Sequence, residues 1–196
     1  MPSLARRTIL GEARLAGEKA AAVATAQVVS ASAGETRRLG RCLGALLRPG
    51  DLLLLAGPFG AGKTTLTQGS AHALGVREPV TSPSFTLVNQ YRGADRRRGP
   101  VLYHVDLFRI GSAAEAFDLG LEEYLAGGPV CVIEWPQQAA PFLPEERLEI
   151  RMAFLGDTGR LWELVGRGTR YFSLVRQFVA RCAPLTMGAE EARGGR

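Results

Sequence analysis

The sequence predicts an α/β fold with a mixed parallel and antiparallel sheet flanked by helices, and three observations predict it. Two short apolar runs, Leu52–Ala56 and Val130–Ile133, read as strands buried on both faces. Amphipathic helical periodicity alternates with β-rich segments, the pattern that builds a layered sheet. Directly after the first apolar run comes Gly57-Pro-Phe-Gly-Ala-Gly-Lys63-Thr64, which matches G-x-x-x-x-G-K-[ST], a phosphate-cradling turn from strand to helix. Together they describe a single P-loop NTPase-like domain.

The elements follow in order. Residues 1 to 26 carry Arg6, Arg7, Arg14 and Lys19 without the apolar stretch and cleavage site of a secretory signal. They are expected to form a poorly ordered extension, with a transit-like role left open. A strand begins near Gln27. Ser32-Ala-Gly-Glu35 has the form of a capping box, and Leu39, Cys42, Leu43, Leu46 and Leu47 share one helical face, so residues 34–47 read as a helix. The phosphate turn leads into a helix over 64–74, stopped by Gly75. Strands over 85–91 and 101–107 bracket a basic loop containing Arg92, Arg96, Arg97 and Arg98. Ser112-Ala-Ala-Glu115 starts another helical stretch, which runs to Gly127-Gly128 ahead of the strand Val130–Glu134. Residues 147–155 and 161–165 alternate apolar and polar around Gly156-Asp-Thr-Gly159 and describe a solvated hairpin, and 171–181 a last helix. The domain is expected over 27–182, with a flexible tail over 183–196.

Composition agrees with one ordinary globular domain: 196 residues, 46% hydrophobic and 22% charged. No run approaches the roughly 18 to 20 apolar residues of a membrane span. Cys42, Cys131 and Cys182 lack metal or redox spacing, so they are expected to be reduced core thiols of a cytoplasmic protein. The net charge of +5 permits contact with RNA or an acidic partner without requiring it. Of 24 basic residues only Lys19 and Lys63 are lysine, which marks Lys63 as a chemical choice. An ammonium is a compact charge that fits among phosphates where a planar guanidinium does not.

The loop and the residue after it, Gly57, Pro58, Phe59, Gly60, Ala61, Gly62, Lys63, Thr64 and Thr65, are the expected ATP-binding stretch. Its amides and Lys63 would grip the phosphates, and the Thr64 hydroxyl would face magnesium. A carboxylate at the end of a neighbouring strand is the second requirement. Glu134 closes one such strand, and Asp106 closes another as an alternative or additional magnesium-side group. His104 is either a base or sensor or a hydrogen-bonded structural residue. Trp135 either touches nucleotide or partner or simply packs. Arg109 pairs with a phosphate or with a partner's carboxylate, and the Arg92–Arg98 cluster meets tRNA or solvent.

Four further segments carry a resemblance. Thr81-Ser-Pro-Ser-Phe-Thr-Leu-Val-Asn-Gln-Tyr91, His104-Val-Asp-Leu-Phe-Arg109, Asp118-Leu-Gly-Leu-Glu-Glu-Tyr-Leu125 and Val132-Ile-Glu-Trp-Pro136, in this order after the loop, resemble the TsaE family across about residues 28 to 166. The resemblance implies the magnesium-dependent ATPase component of tRNA N6-threonylcarbamoyladenosine biosynthesis. Such a protein binds TsaB and TsaD, meets tRNA indirectly through that complex, and by hydrolysing ATP allows multiple turnover, while group transfer belongs to TsaD. It further implies that Ser84 and Thr86 lie in a switch-like segment near the γ-phosphate, with Ser84 catalytic beside Lys63, Asp106 and Glu134. Thr36 and the Gly159-Arg160 turn would approach the nucleotide, Trp135 would flank it, and Thr64, Asp106 and Glu134 would serve the metal.

The chain departs from the family pattern at Pro58-Phe59, where Asp-Leu is usual, at Ser84 for Thr, Gln90 for Glu and Phe108 for Tyr. Ser84 keeps the hydroxyl; the change at Pro58 removes an acid but not phosphate binding. A small P-loop kinase and an ATP-dependent binding module are the alternative readings. A GTPase is disfavoured because no N-K-x-D motif occurs.

Overall fold

The structure, a computed structural model, describes residues 9–10, 22–95 and 99–182. Its elements are β1 (Ile9–Leu10), β2 (Val23–Ser30), α1 (Ala33–Gly44), β3 (Leu52–Ala56), α2 (Lys63–Ala73), β4 (Val88–Arg92), β5 (Pro100–Asp106), α3 (Ala113–Asp118), α4 (Leu121–Leu125), β6 (Val130–Glu134), β7 (Arg147–Leu155), β8 (Gly159–Arg167) and α5 (Thr169–Cys182), with a 3-10 segment over Pro136–Phe142. The strands form one sheet in the order β1-β2-β8-β7-β3-β6-β5-β4. Its centre, β7-β3-β6-β5, is parallel, and the pairings outside it are antiparallel. The expected mixed sheet is therefore observed.

Alternation along the strands builds a core on each face. Leu53, Leu55, Leu102, Val130, Val132, Leu148, Ile150 and Trp162 meet α1, α2 and α5 on one side. Leu52, Leu54, Val105, Cys131 and Ile133 meet α3, α4 and the 3-10 segment on the other. The helix caps are those expected: the Ser32 hydroxyl accepts from the Glu35 amide while the Glu35 carboxylate accepts from Ala31, and Ser112 and Glu115 repeat the arrangement. A second pair of polar bonds ties α5 to the start of β3: Arg170 forks onto Asp51, and the Tyr171 hydroxyl accepts from the Leu52 amide.

Several expectations are corrected. The first long strand begins at Val23, ahead of Gln27, because its alternation fits the full length of β8 from Arg167 to Arg160, and Ile9–Leu10 adds a further strand beside it. The rest of the 1–26 extension and the 183–196 tail lie outside the described residues. The strand expected from Phe85 starts at Val88, since Pro83 to Leu87 close a turn in which the Leu87 amide donates to the Pro83 carbonyl at 2.7 Å. The helix after Ser112 is two short helices, broken at Gly120 with φ 66°. The antiparallel hairpin β7-β8 forms as expected, but it is solvated only on its polar face and lies inside the sheet between β3 and β2.

The thiol expectation holds only for Cys131, which is buried and whose thiol burial pushes up to about 12. Cys42 and Cys182 are disulfide-bonded, their Cα atoms 6.0 Å apart. They are 140 residues apart in the chain and meet because α1 and α5 lie side by side on one sheet face. Cys42→Ser is expected to lower the unfolding free energy of the oxidised chain by about 2–4 kcal/mol. In reductant the variant and the parent should unfold together in a denaturant titration.

Helices α1 and α2 approach so closely that a Cβ at Gly40 would lie 2.5 Å from the Leu66 carbonyl oxygen, and one at Gly69 would strike the Arg37 carbonyl oxygen. The Ser70 hydroxyl donates to the Gly40 carbonyl across the same seam. Alanine ordinarily gains up to about 1 kcal/mol over glycine inside a helix. Here the clash is with backbone and outweighs that gain, so Gly69→Ala should destabilise the fold by about 1–3 kcal/mol in equilibrium denaturation.

Candidate functional site

The parallel register decides what reaches the loop. Leu102, His104 and Asp106 on β5, Val132 and Glu134 on β6, and Leu53 and Leu55 on β3 point to the sheet face that carries α2. Asp106 and Glu134 are register partners at the ends of adjacent strands, and Glu134 is paired with Leu55, two residues before Gly57. Both carboxylates therefore arrive beside the loop although each follows Thr64 by more than 40 residues in the chain.

Gly57, Gly60 and Gly62 have φ of 147°, 73° and 100°, a backbone that L side chains resist. At Gly57 a Cβ would also run into the Met152 carbonyl oxygen. Gly62 caps α2, whose first-turn amides lack intrahelical acceptors and face the loop's concavity. The cleft above it encloses about 340 Å³ and is lined by the loop, Thr65, Ser82, Ser84, Asp106, Glu134 and Trp135. Larger clefts lie at the start of β3 and over the polar face of β7-β8, and neither includes the loop.

Four ionisable groups lie almost out of water here: Lys63, His104, Asp106 and Glu134. The Lys63 ammonium donates to the carbonyls of Gly57 at 2.9 Å and Pro58 at 3.1 Å and lies 4.5 Å over the Trp135 ring. Burial pulls its pKa below the usual lysine range, opposed by the charges of Glu134 and Asp106. A polyanion seated against the loop would restore the balance.

Glu134 Oε1 accepts from the Thr64 hydroxyl at 2.9 Å, and His104 Nε2 lies at the same distance from that oxygen. Asp106 Oδ2 accepts from Ser82 at 2.8 Å and Ser84 at 2.6 Å, and its Oδ1 accepts from the Phe108 amide at 3.0 Å. Trp135 holds φ 59° without being glycine, as does Leu87 at 62°, so backbone strain sits on both flanks of the cleft.

Most expected site residues converge. Thr36 is buried behind Gly62, its hydroxyl 2.8 Å from that of Ser30. Arg160 donates to the Gly60 carbonyl at 3.0 Å and stacks on Phe154. Ala61 is buried, while Phe59 is 61% exposed and touches Phe108 and Trp135. Thr86 turns away to bond Asn89. Arg109 lies over Phe85. Arg96, Arg97 and Arg98 lie outside the described residues. Sequence reasoning missed Ser82, whose signal was its position two before Ser84, and Met152 and Phe154, which the β7-β8 hairpin brings against the loop.

The profile of the family described as threonylcarbamoyl adenosine biosynthesis protein TsaE matches residues 30–161. The chain belongs to the TsaE family. A relative from Treponema pallidum named tRNA threonylcarbamoyladenosine biosynthesis protein TsaE is 42% identical over 132 residues, 67% of this chain and 94% of its own. The protein of the same name from Bacillus subtilis is 39% identical over 143 residues, covering 73% of this chain and 87% of its own. The crystal structure of Bacillus subtilis YdiB superposes with a TM-score of 0.68 at 34% identity over 81% of this chain and 96% of that one.

The Ser82 and Ser84 bonds to a buried carboxylate hold the 82–87 turn, each a charge-assisted bond of about 1.5–3 kcal/mol. Replacing both serines by alanine should speed amide exchange at Leu87 by at least about tenfold in hydrogen-exchange mass spectrometry. The denaturation midpoint should fall as well, because both bonds to the buried Asp106 carboxylate are made only in the folded chain.

Proposed function

We propose that this TsaE-family chain is a magnesium-dependent ATPase of tRNA N6-threonylcarbamoyladenosine biosynthesis, acting in the cytoplasm with TsaB and TsaD and meeting tRNA through them. One observation carries the hydrolase reading: the loop lysine and threonine stand beside two strand-end carboxylates, with Thr64 bonded to Glu134 at 2.9 Å. The names of the relatives support the pathway.

The residues present fit Mg-ATP. The left-handed glycines and the N-terminus of α2 form a concave run of amide donors suited to phosphate oxygens. Lys63, held by carbonyls of its own loop, has a short path to the β- and γ-phosphates. Thr64, Asp106 and Glu134 would hold magnesium, whose charge would stabilise the transferring phosphoryl group. Glu134 Oε2, with no protein donor among the described residues, would orient the attacking water. Thr36, Arg160 and Trp135 border the nucleotide, and the Arg160 bond to Gly60 braces the loop.

Low activity of the isolated chain follows from the same contacts. Asp106 Oδ2 is occupied by Ser82 and Ser84, so a metal must displace or share these bonds. Exposed Phe59, Phe85 and Phe108 beside the cleft offer an ordering contact to a partner.

Phosphate release from Mg-ATP, measured alone and with TsaB and TsaD, tests the reading. Lys63→Ala should cut kcat/KM by about 100-fold or more. Glu134→Ala should lower kcat by about 100-fold while Kd for Mg-ATP stays within about threefold. Nucleotide binding without phosphate release would favour a binding module, and label passing to a small acceptor would favour a kinase.

A further inference from the structure

We propose that His104 is a positioning residue: its Nε2–H holds Glu134 in its working orientation once the Thr64 hydroxyl turns to magnesium. This rests on the hydrolase reading above and assigns His104 a part in it. His104 and Glu134 are diagonal neighbours on the same face of the parallel pair β5-β6, His104 being registered with Val132 and Asp106 with Glu134. The imidazole is fully buried and reaches Glu134 Oε1 at 2.9 Å.

Two features of the carboxylate make this bond matter. Both of its partners, Thr64 Oγ1 and His104 Nε2, fall on Oε1, which leaves Oε2 of this cleft-lining residue without a protein donor among the described residues. The Thr64 bond is temporary, since the same hydroxyl is the metal's expected ligand. After it leaves, His104 is the remaining protein donor to Glu134 among the described residues. Without it no protein donor among the described residues would fix the carboxylate about χ3, and its orientation toward water would be left to the metal side alone.

The ring's other edge fixes which nitrogen carries hydrogen. Nδ1 is buried with no hydrogen-bond partner. Placing the hydrogen there would bury an unpaired N–H and set the Nε2 lone pair against a carboxylate lone pair. Hydrogen on Nε2 makes the bond to Glu134 and leaves only an unused lone pair inside, the less costly arrangement.

The experiment uses the full chain with TsaB and TsaD, comparing His104→Leu, which fills the space without a donor, with His104→Gln, whose amide nitrogen can replace Nε2. His104→Leu should lose about 10- to 100-fold in kcat while Kd for Mg-ATP stays within about threefold, and His104→Gln should regain most of the loss. Equal kcat in the two variants, or a loss confined to Kd, would overturn the proposal. Should His104→Leu fail to fold, nitrogen-15 NMR of the parent decides, because the chain has only two histidines and His72→Gln assigns the other. Hydrogen on Nε2, retained on adding Mg-ADP, is the expected result; hydrogen on Nδ1, or loss of the Nε2–H signal with Mg-ADP, would overturn it. A parent chain that releases no phosphate even with TsaB and TsaD would sink the hydrolase reading itself, whereas parental turnover with an unimpaired His104→Leu sinks only the role of His104.

Discussion

The parallel pairing of β3 with β6 and of β6 with β5 is the constraint on which the site depends. Parallel strands end at the same edge of a sheet, so the loop after β3 and the carboxylates closing β5 and β6 must share one rim. A shift of a single residue in either pairing would turn Asp106 or Glu134 to the opposite face, under α3 and α4. The apolar stretches Leu52–Leu55 and Val130–Ile133 hold that register because both their faces are buried.

Burying charge at that rim is costly, and the local bonds answer the cost one group at a time. Lys63 is caught by two loop carbonyls and an indole face, Glu134 by a hydroxyl and an imidazole, Asp106 by two serines and an amide. Each partner is held in place by the fold, and in the proposed site several would be exchanged for a phosphate or a metal. The arrangement is polarised but open, as the proposed Mg-ATP site requires.

The surrounding fold supplies rigidity where the loop needs it and leaves freedom elsewhere. The seam of α1 against α2, close enough to require glycine at positions 40 and 69, fixes the helix whose first turn forms the loop's floor. The β7-β8 hairpin presses Met152 and Phe154 against Gly57 and Gly60 from the other side. Between them, the 82–87 turn is tied by the Ser82 and Ser84 hydroxyls on Asp106 and by backbone bonds at the strained Leu87.

The sequence by itself determined the α/β class, the phosphate loop, both strand-end carboxylates and the family, because these are written in contiguous residues: an apolar run, a glycine spacing, a terminal acid. Only the tertiary structure decided that the β7-β8 hairpin lies inside the sheet, that Cys42 meets Cys182 across 140 residues, that Thr86 turns away while Ser82 turns in, and that His104 bonds Glu134. The alternation in β7 and β8 told that one face is buried but not which strands lie on either side, since strand pairing depends on distant partners that local periodicity does not encode. His104 was visible as a lone histidine on a strand. Its meaning came from the parallel register, which sets it diagonally across from a carboxylate 30 residues away.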